Sequence, residues 1–197
     1  MKKIAVFVSG GGTNLQALIN AQDSGTLHSG KIALVLSSRP DAYALERARR
    51  AGIPAAVCSK KELGSQEAFE DAIGQKLAEH AIDVIVLAGF MSILSADFTR
   101  RWMGRILNVH PSLIPSFCGK GMYGLKVHEA ALARGVKVTG ATVHLVNEVP
   151  DGGPILLQKA VEVLPGDTPE VLQKRVMEQA EWVLLPQATE MVCGQLP

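Results

Sequence analysis

The sequence predicts an α/β fold: a single-domain, mostly parallel open sheet with helices on both faces, an antiparallel strand pair late in the chain and a long C-terminal helix. Three observations point there. Short apolar runs alternate with segments of helical periodicity as far as His110. A triple glycine joins the first apolar run directly to the first helical segment. The final third changes pattern, with two strand-like runs around a turn-rich loop and then one long apolar stripe. With no linker, internal repeat or low-complexity tract, residues 1–197 read as one domain with a sizeable core.

Each element has a local reason. Ile4–Val8 is a buried strand by its composition, and Leu15, Leu18 and Ile19 recur behind it at helical spacing. Ile32–Leu36 is a second strand. Pro40-Asp41 opens a helix that stops at Gly52, with Ile53-Pro54 beyond it. Ala55–Cys58 is a short third strand, and Phe69, Ile73 and Leu77 mark one face of the next helix. Val84–Ala88 is apolar on both faces, as a central parallel strand should be. Ser95 caps a short helix carrying Phe98 and Trp102. Arg105–His110 is a fifth strand, stopped by Pro111. Lys137–Val146 and Ile155–Val163 flank "NEVPDGGP" and pair antiparallel. From Thr168 the residues Val171, Leu172, Val176, Ala180, Val183 and Leu184 form the stripe of the last helix.

Composition excludes several functions. The 20 basic and 19 acidic residues balance to a net charge of +1, without the footprint of a nucleic-acid or membrane-surface binder. No apolar run approaches the roughly 20 residues of a membrane span, and the N-terminus lacks signal-peptide features. Cys58, Cys118 and Cys193 are odd in number and widely spaced, neither a disulfide framework nor a zinc pattern. These features predict a cytoplasmic protein with no metal and no nucleic-acid or membrane partner. The apolar pattern marks no interface and leaves monomer or homodimer open.

The segment "VFVSGGGTNLQAL" carries the first motif. Glycines after a first strand let the backbone approach a ligand, and the following helix offers free N–H groups to an anion. A Walker loop needs a lysine that is missing here. A dinucleotide fingerprint needs a third glycine where Leu15 stands, and a ribose-binding acid where the second strand ends in Ser37-Ser38-Arg39. A monophosphate is the better fit, with Thr13 and Asn14 as added donors. The alternative is a tight turn that binds nothing.

"RILNVHPSLIP" places Asn108 and His110 two apart on a strand, so both face one side, at the carboxyl edge where open α/β sheets hold ligands. An amide and an imidazolium can stabilise an oxyanion or move a proton. Asp151, in "PDGGP", is the carboxylate best placed to make His110 cationic, with Glu148 as its rival. The alternatives are a structural histidine and a simple hairpin turn. His144 reads as a core histidine or a neighbour of the site. His28, His80 and His128 sit at polar positions and read as surface residues. Cys118 has no paired base and does not read as a nucleophile.

Taken together, "SGGGTNLQALI", "VLAGFMSIL", "ILNVHPSLIP", "VHLVNEVPDGGPILLQ" and "RVMEQAEWVLLP" closely resemble the phosphoribosylglycinamide formyltransferases, folate-dependent enzymes of purine synthesis. That resemblance implies formyl transfer from 10-formyltetrahydrofolate, as co-substrate, to the amine of glycinamide ribonucleotide. It implies a nucleotide-binding N-terminal half and a folate-binding C-terminal half. Gly12, Thr13 and Asn14 fall on the family's phosphate turn, and Glu178 and Glu181 on its acceptor side. Asn108, His110 and Asp151 fall on the catalytic set. Met91, Ser92, Ile93 and Leu94, with Asn147, Glu148, Val149, Pro150, Asp151 and Asn108, fall on the folate pocket. Gln66 and Ser92 stand where the family often has arginines on the folate side. "FCGKGMYGLKVHEA" is longer than the family's loop and reads as a mobile surface segment, with Lys120 as a spare cation. The last-helix motif carries one extra residue.

Overall fold

The computed structural model describes residues 1–196. Its strands are β1 (Lys2–Val8), β2 (Gly30–Ser37), β3 (Ala55–Val57), β4 (Val84–Leu87), β5 (Ile106–His110), β6 (Val138–Leu145) and β7 (Ile155–Glu162). Among the described residues they form a seven-stranded sheet in the order β3-β2-β1-β4-β5-β6-β7. The pairs from β3 to β5 are parallel, and β6 is antiparallel to both β5 and β7. The helices are α1 (Thr13–Asp23), α2 (Tyr43–Arg50), α3 (Lys60–Leu63), α4 (Gln66–Glu79), α5 (Ala96–Arg101), α6 (Leu125–Arg134), α7 (Pro169–Val176) and α8 (Trp182–Gln195).

The period-two alternation of β1 divides the core. Ile4, Val6 and Val8 face a cluster with Leu15 and Leu18 of α1, Leu172 of α7 and Leu185 of α8. Ala5 and Phe7 face the opposite cluster with Phe69, Ile73 and Leu77 of α4 and Phe98 of α5. Both faces of the central strands are therefore covered, and their ends at the carboxyl edge are free to carry chemistry. The expected caps form: Ser95 Oγ accepts from the Phe98 amide at 3.1 Å, and Thr168 Oγ1 accepts from the Val171 amide at 3.3 Å.

Three details differ from the sequence expectation. Helix α2 begins at Tyr43 and not at Pro40-Asp41, because Arg39 and Asp41 close a short turn with Nη2 donating to Oδ2 at 2.6 Å. The late strand pair forms as predicted, but β6 also runs back beside β5, with Asn108 opposite His144 and His110 opposite Thr142. The predicted surface loop over 117–130 is partly helix, because Val127, His128 and Ala131 recur on one buried face of α6 between Gly124 and Gly135.

His128 is thus no surface residue. It is fully buried, and neither ring nitrogen has a hydrogen-bond partner. Burial, reinforced by the charge of nearby His110, pushes its pKa down to about 4. An unfolded histidine takes up a proton near pH 6.5, while the folded ring stays neutral until about pH 4. Between those values the unfolded chain binds more protons, so stability falls as pH falls, by about 3 kcal/mol in all. His128→Leu removes that slope, which denaturant titrations at a series of pH values measure directly.

Candidate active site

Two places on the carboxyl edge gather polar groups. At the first, β1 runs through the glycine turn into α1. The turn is tied to α2: the Ala44 amide donates to the Gly10 carbonyl at 3.0 Å, and Arg47 Nε donates to the Gly11 carbonyl at 2.8 Å. Gly12 has φ +71°, and a Cβ there would lie 2.6 Å from that of Ala44, so both conformation and packing require glycine. The first helical bond runs from the Gln16 amide to the Gly12 carbonyl at 2.9 Å. The preceding amides of α1 are left as free donors.

Asn14 lies in that first turn and is nine-tenths buried. Its Nδ2 donates to Glu181 Oε2 at 2.8 Å, while its Oδ1 has no partner. Burial raises the Glu181 carboxyl above its ordinary range, and the Asn14 bond only partly offsets this. Thr13 meets Met177 through its hydroxyl, 3.8 Å from Sδ. A π-helical turn, Met177–Glu181, joins α7 to α8 in the segment where the last-helix motif carries one extra residue. One added residue in a wider turn lets both flanking helices keep their buried faces, and such bulges favour functional sites. The turn aims Glu181 at Asn14. Glu178 instead lies outside, 3.8 Å from Lys174 Nζ, so the two glutamates do not converge.

The second place is the end of β5. Asn108 and His144 are cross-strand partners, and Asn108 Nδ2 lies 3.2 Å from His144 Nε2 and 3.5 Å from Asp151 Oδ1. His144 Nδ1 donates to the Leu145 carbonyl at 2.9 Å, and its Nε2 is 3.6 Å from Asp151 Oδ1. Neutral, this ring accepts from the Asn108 amide; charged, it donates to Asp151. Its place is therefore beside the site as well as in the core.

Asp151 adopts a left-handed φ of +56° and turns its carboxylate inward, where the Gly119 amide donates to Oδ2 at 2.8 Å. Gly153 lets the loop fold back this tightly, since any Cβ there would overlap the Leu145 carbonyl oxygen. Burial pushes the Asp151 carboxyl up, but His144, the Gly119 amide and His110 outweigh it and hold the group below the usual carboxylate range. His110 Nδ1 is 3.7 Å from Asp151 Oδ2, and Nε2 donates to the Phe117 carbonyl at 2.9 Å.

A cavity of 630 Å³ opens over this cluster. Asn108, His144 and Asp151 line it, Met91, Ser92, Ile93 and Leu94 form one wall, and Asn147, Glu148, Val149 and Pro150 another. Lys120 and Tyr123 close a third side. His110 lies behind Asp151, covered by the Phe117 carbonyl, and is not part of the lining. Gln66 does not reach the cavity either. Its Nε2 donates to Glu70 at 2.6 Å and to the Ile93 carbonyl at 3.1 Å, which supports the Met91–Leu94 wall from behind. Ser9 links the two places, because its Oγ accepts from the Met91 amide at 2.9 Å.

An amide donor, a depressed carboxylate and two imidazoles beside a largely apolar cavity suit stabilisation of a carbonyl oxygen gaining charge, with a proton moved alongside. Among the described residues no His, Cys, Asp and Glu cluster could hold a metal ion, and no helix is long and apolar enough to cross a membrane. Arg47 and the Phe117 carbonyl escape the sequence reading, and Lys120–Tyr123, read there as mobile surface loop with Lys120 as a spare cation, instead form a wall of the cavity. His144, which the sequence leaves as a core histidine or a neighbour of the site, is placed against Asn108 by the register of β5 and β6.

Known proteins bear on what this arrangement belongs to. The chain is 47% identical over 94% of its length to a phosphoribosylglycinamide formyltransferase of Haemophilus influenzae, 84% of which is covered. It is 46% identical over 98% of its length to the trifunctional purine biosynthetic protein adenosine-3 of Gallus gallus, but spans only 18% of that protein. The crystal structure of glycinamide ribonucleotide transformylase 1 from Symbiobacterium toebii superposes with a TM-score of 0.91 at 42% identity, covering 98% of this chain and 88% of that one. The Formyl transferase family model matches residues 2–189, a span that takes in both the glycine turn and the Asn108 cluster, and the chain belongs to that family.

Proposed function

We propose that this enzyme transfers a formyl group from 10-formyltetrahydrofolate to the amine of glycinamide ribonucleotide, in purine biosynthesis. The convergence of Asn108, His144, Asp151 and His110 at the end of β5, under a cavity of folate-compatible size, carries the reading. Residues 1–197 act as one formyltransferase domain, the N-terminal half holding the ribonucleotide and the C-terminal half the folate. Gly12, Thr13 and Asn14 take the phosphate, and Glu181 the acceptor's donors. Met91–Leu94 and Asn147–Asp151 take the folate. The three cysteines are free, which suits a cytoplasmic setting.

The chemistry needs no protein nucleophile. The neutral amine attacks the formyl carbon, and the carbonyl oxygen becomes an oxyanion. Asn108 Nδ2 donates to it, a contribution of about 2.7–4 kcal/mol for one such donor. The amine must lose a proton and the departing folate nitrogen must gain one before the C–N bond breaks. Asp151, an ionised carboxylate on the cavity wall, orients the water that takes this proton and passes it to the folate nitrogen, and His110 braces the carboxylate from behind at 3.7 Å. For His110 Nε2 itself to reach the oxyanion, the Phe117 carbonyl must move aside.

The test is product formation by purified protein. Formylglycinamide ribonucleotide should accumulate only with both substrates present, in step with tetrahydrofolate. Release of formate without acceptor would indicate a hydrolase. Transfer to another amine alone would indicate a different acceptor, and tight nucleotide binding without turnover a non-catalytic domain.

A further inference from the structure

The glycine turn cannot order itself. Three successive glycines have more backbone freedom to lose than any other sequence, and a turn of mobile amides is a poor anion site. Helix α2 supplies the missing restraint. Its Ala44 amide holds the Gly10 carbonyl at 3.0 Å, and Arg47 Nε holds the Gly11 carbonyl at 2.8 Å. In a trans peptide the C=O and the following N–H point in opposite directions. Holding those two oxygens toward α2 therefore turns the Gly11 and Gly12 N–H groups away from α2. Arg47 is itself braced: Nη1 donates to Gln16 Oε1 at 3.0 Å, and the guanidinium lies 5.2 Å from the centre of the Tyr43 ring. The unpartnered Oδ1 of nine-tenths-buried Asn14, in the same turn, is an acceptor open to a hydroxyl or amine donor and so an independent sign that this edge is built for a ligand that carries such a donor beside its anion.

We propose that Arg47 is a positioning residue for the acceptor's phosphate, locking the glycine turn so that its amides present a fixed anion cradle while the guanidinium adds nearby positive charge. This rests on the reading that the turn holds a phosphate. The sequence reading passed over Arg47 because it sits in a basic helical run, "LERARR", that looks like a solvated face.

The experiment compares glycinamide ribonucleotide with its dephosphorylated ribonucleoside as acceptors for wild type, Arg47→Met and Arg47→Lys. Wild type should strongly prefer the phosphorylated acceptor. Arg47→Met, which keeps the aliphatic stem, should raise KM for that acceptor on the order of tenfold, the loss of one charge-assisted hydrogen bond, with kcat close to wild type. Its kcat/KM on the dephosphorylated acceptor should stay within about twofold of wild type, because a contact that serves only the phosphate is absent there. Arg47→Lys keeps a cationic donor for the Gly11 carbonyl and should recover part of the loss. Equal losses on both acceptors, or no loss on either, would overturn the assignment. A wild type indifferent to the phosphate would instead sink the phosphate reading itself, and Arg47's role with it.

Discussion

Asp151→Asn is expected to lower kcat by roughly 10²–10⁴, the range of a lost acid–base partner, with far less change in KM. The substitution keeps size and the left-handed-tolerant side chain, so the loop retains its path. What it removes is charge. The carboxylate lies 3.7 Å from His110 Nδ1 and accepts from the Gly119 amide at 2.8 Å. Asn also faces the Asn108 amide with a second amide, which can present the wrong atom. Because the wild-type carboxyl is held below the usual carboxylate range, its protonation adds no limb to the pH profile at neutral or mildly acid pH. The Asn variant should be slow across that whole range. His110→Ala should fall in the same range, and the double variant should lose little more than either single one, since the two act as a unit. Steady-state kinetics decide this. Turnover of Asp151→Asn within threefold of wild type would remove Asp151 from the mechanism.

Gly12→Val should strongly destabilise the fold around the glycine turn. A β-branched residue at φ +71° carries roughly 1–2 kcal/mol of backbone strain. Its Cβ also lands 2.6 Å from Ala44 Cβ and 2.9 Å from Ala44 Cα, an overlap that costs about 1–3 kcal/mol more. Together these predict a loss of roughly 2–5 kcal/mol and a fall in Tm of about 5–15 °C. Gly10→Ala and Gly11→Ala are the internal controls: nothing lies within 4 Å of a Cβ at either position, so neither should lose more than about 1 kcal/mol. Calorimetry of the three variants separates a steric requirement at Gly12 from a general need for flexible glycine.

Much of the architecture was legible because it is periodic. The alternation of β1 and the spacing of Phe69, Ile73 and Leu77 report burial directly, so strand and helix identities followed. The antiparallel return of β6 beside β5 was not legible, since strand neighbours come from tertiary packing and leave no local mark. That pairing is what sets His144 against Asn108. Helix α6 was hidden by two flanking glycines and by charged Lys126 and Glu129, which make a half-buried helix look like loop. Glu181 and Glu178 looked equivalent on sequence spacing, and only the π-helical turn separates them. His110 was legible as a strand-end imidazole, but its cover by a backbone carbonyl depends on the left-handed Phe117 at φ 48°, which no side-chain pattern announces.

The strand order has a metric consequence. The glycine turn leaves β1 and the Asn108 cluster closes β5, with β4 alone between them. Neighbouring strands stand about 4.8 Å apart, so the glycine turn and the Asn108 cluster are separated by roughly 10 Å. Ladder hydrogen bonds make that gap inextensible. Under the proposed function the sheet would work as a calliper: an acceptor would deliver its nucleophile only if its own span from anionic tail to amine matched the jaws.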